Sequence, residues 1–157
     1  MKVIICSKPE FFRYMNYNGI TDENVDSKDT MFISINNSVG LDIIYGVYSC
    51  FKRQHSNVLI MHFNDYGENF IKDAIGVTGI FNEYKAKKLY DFIKRNKDKK
   101  MAIVHCSAGI SRSGAVGTFI FDMYGNENFE EFKRKNPRIQ PNYYMLKLLN
   151  EQKRKDG

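Results

Sequence analysis

Seven consecutive residues carry most of the chemical potential of this chain: Cys106-Ser107-Ala108-Gly109-Ile110-Ser111-Arg112. A thiol and a guanidinium six positions apart can meet across a short loop, one as a nucleophile, the other as a two-pronged donor to an oxyanion. Met101 to Val104, just before them, is an apolar run ending in β-branched residues, the pattern of a buried strand. Just after them, Ala115, Val116, Phe119, Ile120 and Met123 recur at helical spacing. A loop passing from a strand into a helix N-terminus turns its N–H groups toward an anion, and the helix dipole adds to the attraction. Gly109 admits a backbone angle closed to other residues, and the small Ser107 and Ala108 let an anion approach the main chain. The same field favours a thiolate at Cys106, lowering its pKa below that of a free cysteine. One loop thus supplies a nucleophile and a cradle for a transferring phosphoryl group.

The stretch Val104-His105-Cys106-Ser107-Ala108-Gly109-Ile110-Ser111-Arg112-Ser113-Gly114 resembles the phosphate-binding signature of cysteine-based protein tyrosine and dual-specificity phosphatases. That pattern, HC-x-x-G-x-x-R followed by Ser or Thr, is filled at every defining position. The alternative for Cys106 is a buried thiol that merely packs after a strand. The resemblance implies that Cys106 attacks phosphorus while Arg112 and the N–H groups of Ser107, Ala108, Gly109, Ile110, Ser111 and Arg112 bind the phosphate oxygens. It implies that His105 braces the loop by hydrogen bonding and that Ser113 stabilises the departing thiolate. Neither a metal ion nor a cofactor is expected.

Hydrolysis through a thiolate also needs an acid for the leaving oxygen and then a base for water. Phe63-Asn64-Asp65, at the exit of the apolar run Asn57 to Phe63, resembles the general-acid loop of the dual-specificity and lipid-phosphatase branches. Asp65 is therefore expected to fill both roles, with Glu68 and Asp73 as the other candidates in that segment. The chain has no Trp, so the Trp-Pro-Asp of the classical tyrosine phosphatases is missing, which places it nearer the smaller dual-specificity-like branch. Pro137-Arg138-Ile139-Gln140-Pro141-Asn142 resembles the segment RP-x-I-x-PN that braces the site in that branch. Asn142 matches as a supporting residue. Asn136 stands where the leading Arg would be, so no second-phosphate contact is expected there. Arg138 and Gln140 face either substrate or solvent.

These parts need a frame. Lys2 to Cys6, Met31 to Ile35 and Asn57 to Phe63 read as strands alongside Met101 to Val104. Pro9 opens a short helix, Glu10 to Met15, and Asn82 caps another with Ala86, Leu89, Tyr90 and Ile93 on its buried face. Asn128 to Lys135 reads as a short helix, and Tyr143 to about Arg154 as the last one, capped by Asn142, with Met145, Leu148, Leu149 and Gln152 inward. Gly19 to Thr30 reads as an irregular surface loop, Asn36 to Gly40 as a turn, and Leu41 to Gln54 leans to helix. Strands alternating with helices imply an α/β fold in three layers, a mainly parallel sheet of about four strands with helices on both faces, in one domain over residues 1–157. The resemblance implies the same, with the phosphate loop at the C-terminal edge of the sheet.

Composition agrees. The 157 residues are 43% hydrophobic and 27% charged, as in ordinary globular proteins. No apolar run approaches the roughly 18 residues of a membrane span, and the opening MKVIICSKPE reads as a strand rather than a signal peptide. Cys6, Cys50 and Cys106 form no C-x-x-C pair, which suits a reducing, cytoplasmic location. His55 and His62 show no ligand-like spacing and read as ordinary histidines.

The net charge of +6 is uneven: residues 1–78 carry seven basic and nine acidic side chains, residues 79–157 seventeen and nine. A basic half attracts anionic substrates. It also suits nucleic acid, but no finger, basic zipper or aromatic RNA-binding motif accompanies it, so no nucleic-acid partner is expected. The lysine-rich stretch Lys85 to Lys100 reads as a solvated helix face, with a partner-binding surface as the alternative. The partner expected is a phosphorylated protein or peptide, with phosphotyrosine as the substrate group and phosphoserine or phosphothreonine beside it. Other readings are a phosphoinositide or RNA 5′-phosphatase, a non-catalytic module that binds phosphorylated ligands, and a sulfurtransferase or arsenate reductase.

Overall fold

The computed structural model describes residues 1–38, 51–73, 76 and 78–157. Four strands, β1 (Lys2–Ser7), β2 (Thr30–Asn36), β3 (Val58–His62) and β4 (Met101–Cys106), form one sheet in the order β1-β4-β2-β3. All three pairings are parallel. The two interior strands, β4 and β2, are the most completely buried, and β2 is buried at all seven positions. A parallel strand covered on both faces has no solvent-facing side, which is why β4 reads as a nearly continuous apolar run, while the buried Thr30, Ser34 and Asn36 interrupt that of β2.

Helices α1 (Lys8–Tyr17), α2 (Glu68–Asp73), α3 (Glu83–Arg95), α4 (Arg112–Tyr124), α5 (Phe129–Lys135) and α6 (Tyr143–Asp156) complete the described elements. On one face, Leu89 and Ile93 of α3, Val116 and Ile120 of α4 and Leu149 of α6 pack with Ile33, Met61 and Val104 of the sheet. On the other, Phe11 and Met15 of α1 pack with Phe32, Val58 and Ile103. The result is the expected three-layer α/β arrangement. Each such aliphatic or aromatic side chain contributes about 1.5–3 kcal/mol when fully buried.

The helix ends follow local chemistry. Asn82 Oδ1 accepts from Lys85 N at 2.9 Å, and Asn142 Oδ1 from Met145 N at 3.1 Å, the two caps expected. Helix α1 extends beyond Glu10 to Met15 because Ser7 caps it reciprocally. Glu10 N donates to Ser7 Oγ at 3.3 Å and Ser7 N to Glu10 Oε1 at 3.0 Å. The inward face of α6 is the one expected: Met145, Leu148, Leu149 and Gln152 are buried. Helix α3 ends at Arg95, so Lys97 to Lys100 lie beyond it. Asn96 closes it, its Nδ2 donating to Phe92 O and Ser56 O, both at 3.0 Å.

Two readings are corrected. Gly19 to Thr30 is not simply a surface loop: Val25 is fully buried at the start of a 3-10 turn, Val25–Ser27. Side-chain bonds hold the segment in place: Asp22 Oδ1 pairs with His55 Nε2 at 2.7 Å and Asn57 Nδ2 donates to Val25 O and Thr30 O at 2.9 Å each. Such pinning leaves no periodic trace. Of the Leu41 to Gln54 segment, residues 41–50 lie outside the described residues, while 51–54 form no helix and Phe51 is buried in the α1-side core. Helix α2 buries no residue and so had no apolar pattern to betray it. No helix among the described residues is long and apolar enough to cross a membrane.

Candidate active site

In a strand, neighbouring side chains point to opposite faces, so β4 sends His105 and Cys106 different ways. Cys106 joins the core beneath α4 and is 3% exposed. Its Sγ lies 3.0 Å from Oγ of Ser113, in the first turn of α4. Burial pushes this thiol up, but hydrogen bonds from the Ser113 hydroxyl and N–H, the charge of Arg112 and the Gly109 N–H together outweigh it and hold the thiol below its ordinary value.

Gly109 has φ +74°, and a Cβ there would sit 2.6 Å from the backbone of Cys6 and Ser7, so the loop packs directly against the end of β1. Lys8 N donates to Ser107 O at 3.2 Å on that side. On the other side, Gln140 N donates to Ile110 O at 2.9 Å and Asn142 N to Ser111 O at 3.0 Å. Ser107 and Ala108 are exposed, Ile110 and Ser111 half-buried. The loop is therefore clamped from both flanks while its crest stays open.

Arg112 opens α4 and is 5% exposed. It donates through Nη1 to Asn37 Oδ1 at 2.9 Å and Phe63 O at 2.8 Å, and through Nη2 to Ser107 Oγ at 3.0 Å.

Asp65 comes from the exit of β3, on the far side of β2 from β4. Beyond β3, Asn64 accepts from Ser38 N at 3.1 Å, donates its own N–H to Gly79 O at 2.8 Å and gives Nδ2 to the Tyr66 hydroxyl at 3.1 Å. This fixed turn presents Asp65, exposed, to the Cys106 loop. Its Oδ1 accepts from Ser111 Oγ at 2.9 Å and from Asn142 Nδ2 at 2.8 Å. Glu68 instead faces Lys147, 2.7 Å away, which holds its carboxyl below the usual range, and Asp73 ends α2 on the exposed side. Asp65 alone of the three candidates bonds to the loop among the described residues.

The supporting residues fall as follows. His105 Nδ1 donates to Cys106 O at 3.1 Å, since a carbonyl can only accept, and Nε2 meets Ser34 Oγ at 2.6 Å. Asn36 Nδ2 donates to the same Ser34 oxygen at 3.2 Å, and the Phe11 ring lies 4.3 Å from the imidazole. His105 thus braces the loop from the face opposite Cys106. Asn142 has three tasks: it caps α6, holds Asp65 and donates to Tyr66 O at 3.0 Å. Asn136 is buried, accepting from Ile5 N at 3.2 Å and donating to Phe132 O at 2.9 Å, a structural tie between α5 and β1. Arg138 is drawn to Glu10 at 2.7 Å. His55 is satisfied by Asp22 and Asp26, and His62 lies exposed near Asn37 O.

Sequence reasoning passed over Ser34, Asn36 and Asn37, and gave Asn64 no role of its own within the acid loop. A signal existed for the first two: polar residues two apart in an otherwise apolar strand share one face of the sheet. Asn37 sat in a segment read only as a turn. No group of three His, Cys, Asp or Glu side chains is arranged to hold a metal ion among the described residues.

No family model and no curated protein matches this chain. Among solved structures, PTP-2 phosphatase of Cydia pomonella is similar, with a TM-score of 0.50 at 15% identity over 95% of this chain and 84% of that one. Human tyrosine phosphatase-like serine/threonine/tyrosine-interacting protein is similar with a TM-score of 0.46 at 20% identity, over 92% and 83% of the two chains. At such identities the likeness to the PTP-2 phosphatase is one of fold: a four-stranded parallel sheet flanked by helices.

Proposed function

We propose that this chain is a phosphoprotein phosphatase that hydrolyses phosphotyrosine, and phosphoserine or phosphothreonine more slowly, through a cysteinyl-phosphate. The observation that carries the reading is the convergence on one loop: Cys106 Sγ 3.0 Å from Ser113 Oγ, Arg112 behind it, and Asp65 held 2.9 Å from Ser111 Oγ. The Cys106 thiolate attacks phosphorus, an S–P bond forms and the ester O–P bond breaks. Asp65, protonated, gives its proton to the leaving oxygen. A water then gives a proton to the Asp65 carboxylate and attacks phosphorus. The S–P bond breaks, inorganic phosphate leaves, and the Ser113 hydroxyl stabilises the returning thiolate.

Phosphoryl transfer spreads charge over the equatorial oxygens, so a preorganised set of N–H donors is what the step most requires. The N–H groups of residues 107–112 and the Arg112 guanidinium fill that part. The five residues between Cys106 and Arg112 are uncharged, which suits a single phosphate on an otherwise neutral side chain, and Ile110 gives an aromatic ring an apolar contact. A nucleophilic thiol calls for a reducing compartment, and we place the enzyme in the cytoplasm.

The test is hydrolysis of a generic aryl phosphate with and without chelator, by the wild type and by Cys106→Ser. Turnover that ignores chelator and disappears in the variant is expected. Phosphate binding without turnover by the wild type would instead make the chain a binding module.

A further inference from the structure

We propose that Asn37 is a positioning residue that aims the Arg112 guanidinium without neutralising it, leaving one fork and its positive charge open to a phosphate-monoester dianion. The proposal rests on reading the Cys106 loop as a phosphate site. A guanidinium carries five N–H donors. Three are committed: to Asn37 Oδ1 at 2.9 Å, Phe63 O at 2.8 Å and Ser107 Oγ at 3.0 Å. The other two have no acceptor among the described residues, and a bidentate phosphate contact uses two.

The chemical nature of the three acceptors matters as much as their number. A charged side chain only 5% exposed ordinarily lies beside an opposite charge. Arg112 has an amide oxygen, a peptide carbonyl and a hydroxyl, none of them charged. Asp65, the acid of the site, spends its bonded oxygen on Ser111 and Asn142 instead. The guanidinium is thus fixed in direction and bonded to no carboxylate among the described residues; its charge also favours the Cys106 thiolate, and burial strengthens its pull on an anion.

The acceptors come from two adjoining strand exits. Asn37 follows β2, and Phe63 follows β3, its N–H donating to Asn36 O at 2.9 Å. Of the three, Asn37 alone lies outside both the acid loop and the phosphate loop and bonds through its side chain. A carboxylate in its place would keep the acceptor and the shape, but it would compete with phosphate for the same cation.

Inorganic phosphate is titrated calorimetrically into the Cys106→Ser protein, with and without Asn37→Asp or Asn37→Ala; thermal melts check that each is folded. This reads the anion site with no dependence on turnover. The expected result is affinity at least tenfold weaker in Asn37→Asp, and weakened less in Asn37→Ala, which removes one acceptor but adds no charge. A merely structural role predicts the reverse order, because Asp retains the acceptor. A loss under tenfold in Asn37→Asp, or a larger loss in Asn37→Ala, overturns the proposal alone. Absence of phosphate binding by the Cys106→Ser parent overturns the phosphate-site reading and the proposal together.

Discussion

Ser111 Oγ donates to Asp65 Oδ1 at 2.9 Å, so the loop that would hold the phosphate also holds the acid that would protonate its leaving group. Asn142 Nδ2 donates to the same oxygen at 2.8 Å. With Oδ1 occupied twice as an acceptor, the proton of a neutral Asp65 belongs on Oδ2. Asp65→Asn is expected to lower turnover of an alkyl phosphate by about 10²–10⁴, and that of an activated aryl phosphate far less, because a good leaving group departs without help. A leaving-group series measures both. Equal losses across the series would move the acid elsewhere. Ser111→Ala, which removes one neutral hydrogen bond, is expected to cost up to about tenfold with the same leaving-group trend.

The Cys106 thiol is held below its ordinary value despite its burial. Alkylation by iodoacetamide as a function of pH is expected to show a midpoint below the roughly 8.5 of a free thiol. Removing a donor to the thiolate raises that midpoint, so Ser113→Ala moves it upward. The acidic limb of kcat/KM follows the same group: activity rises as Cys106 ionises. Ser113→Ala also slows thiolate departure, which appears as a burst of leaving group followed by a slower steady state. An unchanged midpoint in Ser113→Ala counts against its role at the sulfur.

Arg112→Lys keeps the charge and loses the planar fork. The variant is expected to lose 10² or more in kcat/KM for aryl phosphate, on the scale of losing one oxyanion donor. Steady-state kinetics with a melting curve decide whether the loss lies in chemistry or in folding, since Arg112 also ties Phe63 O to the loop.

Phe11 is fully buried and lies 4.3 Å from the His105 ring and 6.3 Å from those of Phe32 and Phe51. Phe11→Ala is expected to destabilise the protein by about 3–5 kcal/mol, measured by urea unfolding. The cavity opens on the face opposite Cys106, so the fraction still folded should retain the alkylation midpoint of the parent.

Substrate class is checked by a panel of kcat/KM values at fixed ionic strength. Phosphotyrosine peptides are expected to lead, phosphoserine and phosphothreonine peptides to follow, and phosphoinositides to trail, because the loop from Ser107 to Ser111 offers no charge to further phosphates. A phosphoinositide or an RNA 5′-triphosphate preferred by tenfold would replace the phosphoprotein reading without touching the chemistry of Cys106.

The parts of this protein that depend on short stretches of chain were legible in the order of residues. The strand–loop–helix around Cys106 spans few enough residues that apolar runs, Gly109 and helical spacing define it. The buried stripes of α3 and α6 and the caps at Asn82 and Asn142 are equally local, so the α/β alternation could be read through them. Asp65 was visible as a carboxylate after a strand, but its selection over Glu68 rests on partners 46 and 77 residues away. The bond from Arg112 to Asn37 crosses 75 residues, and that from Ser34 to His105 crosses 71. Those meetings follow from the order β1-β4-β2-β3, which puts the exits of β2 and β3 beside the Cys106 loop. Periodicity tells each strand which faces to bury, but every strand of a parallel sheet buries both. Their order is therefore set by the packing of helices on either side, and only the folded chain decides which polar residues at the strand ends come together.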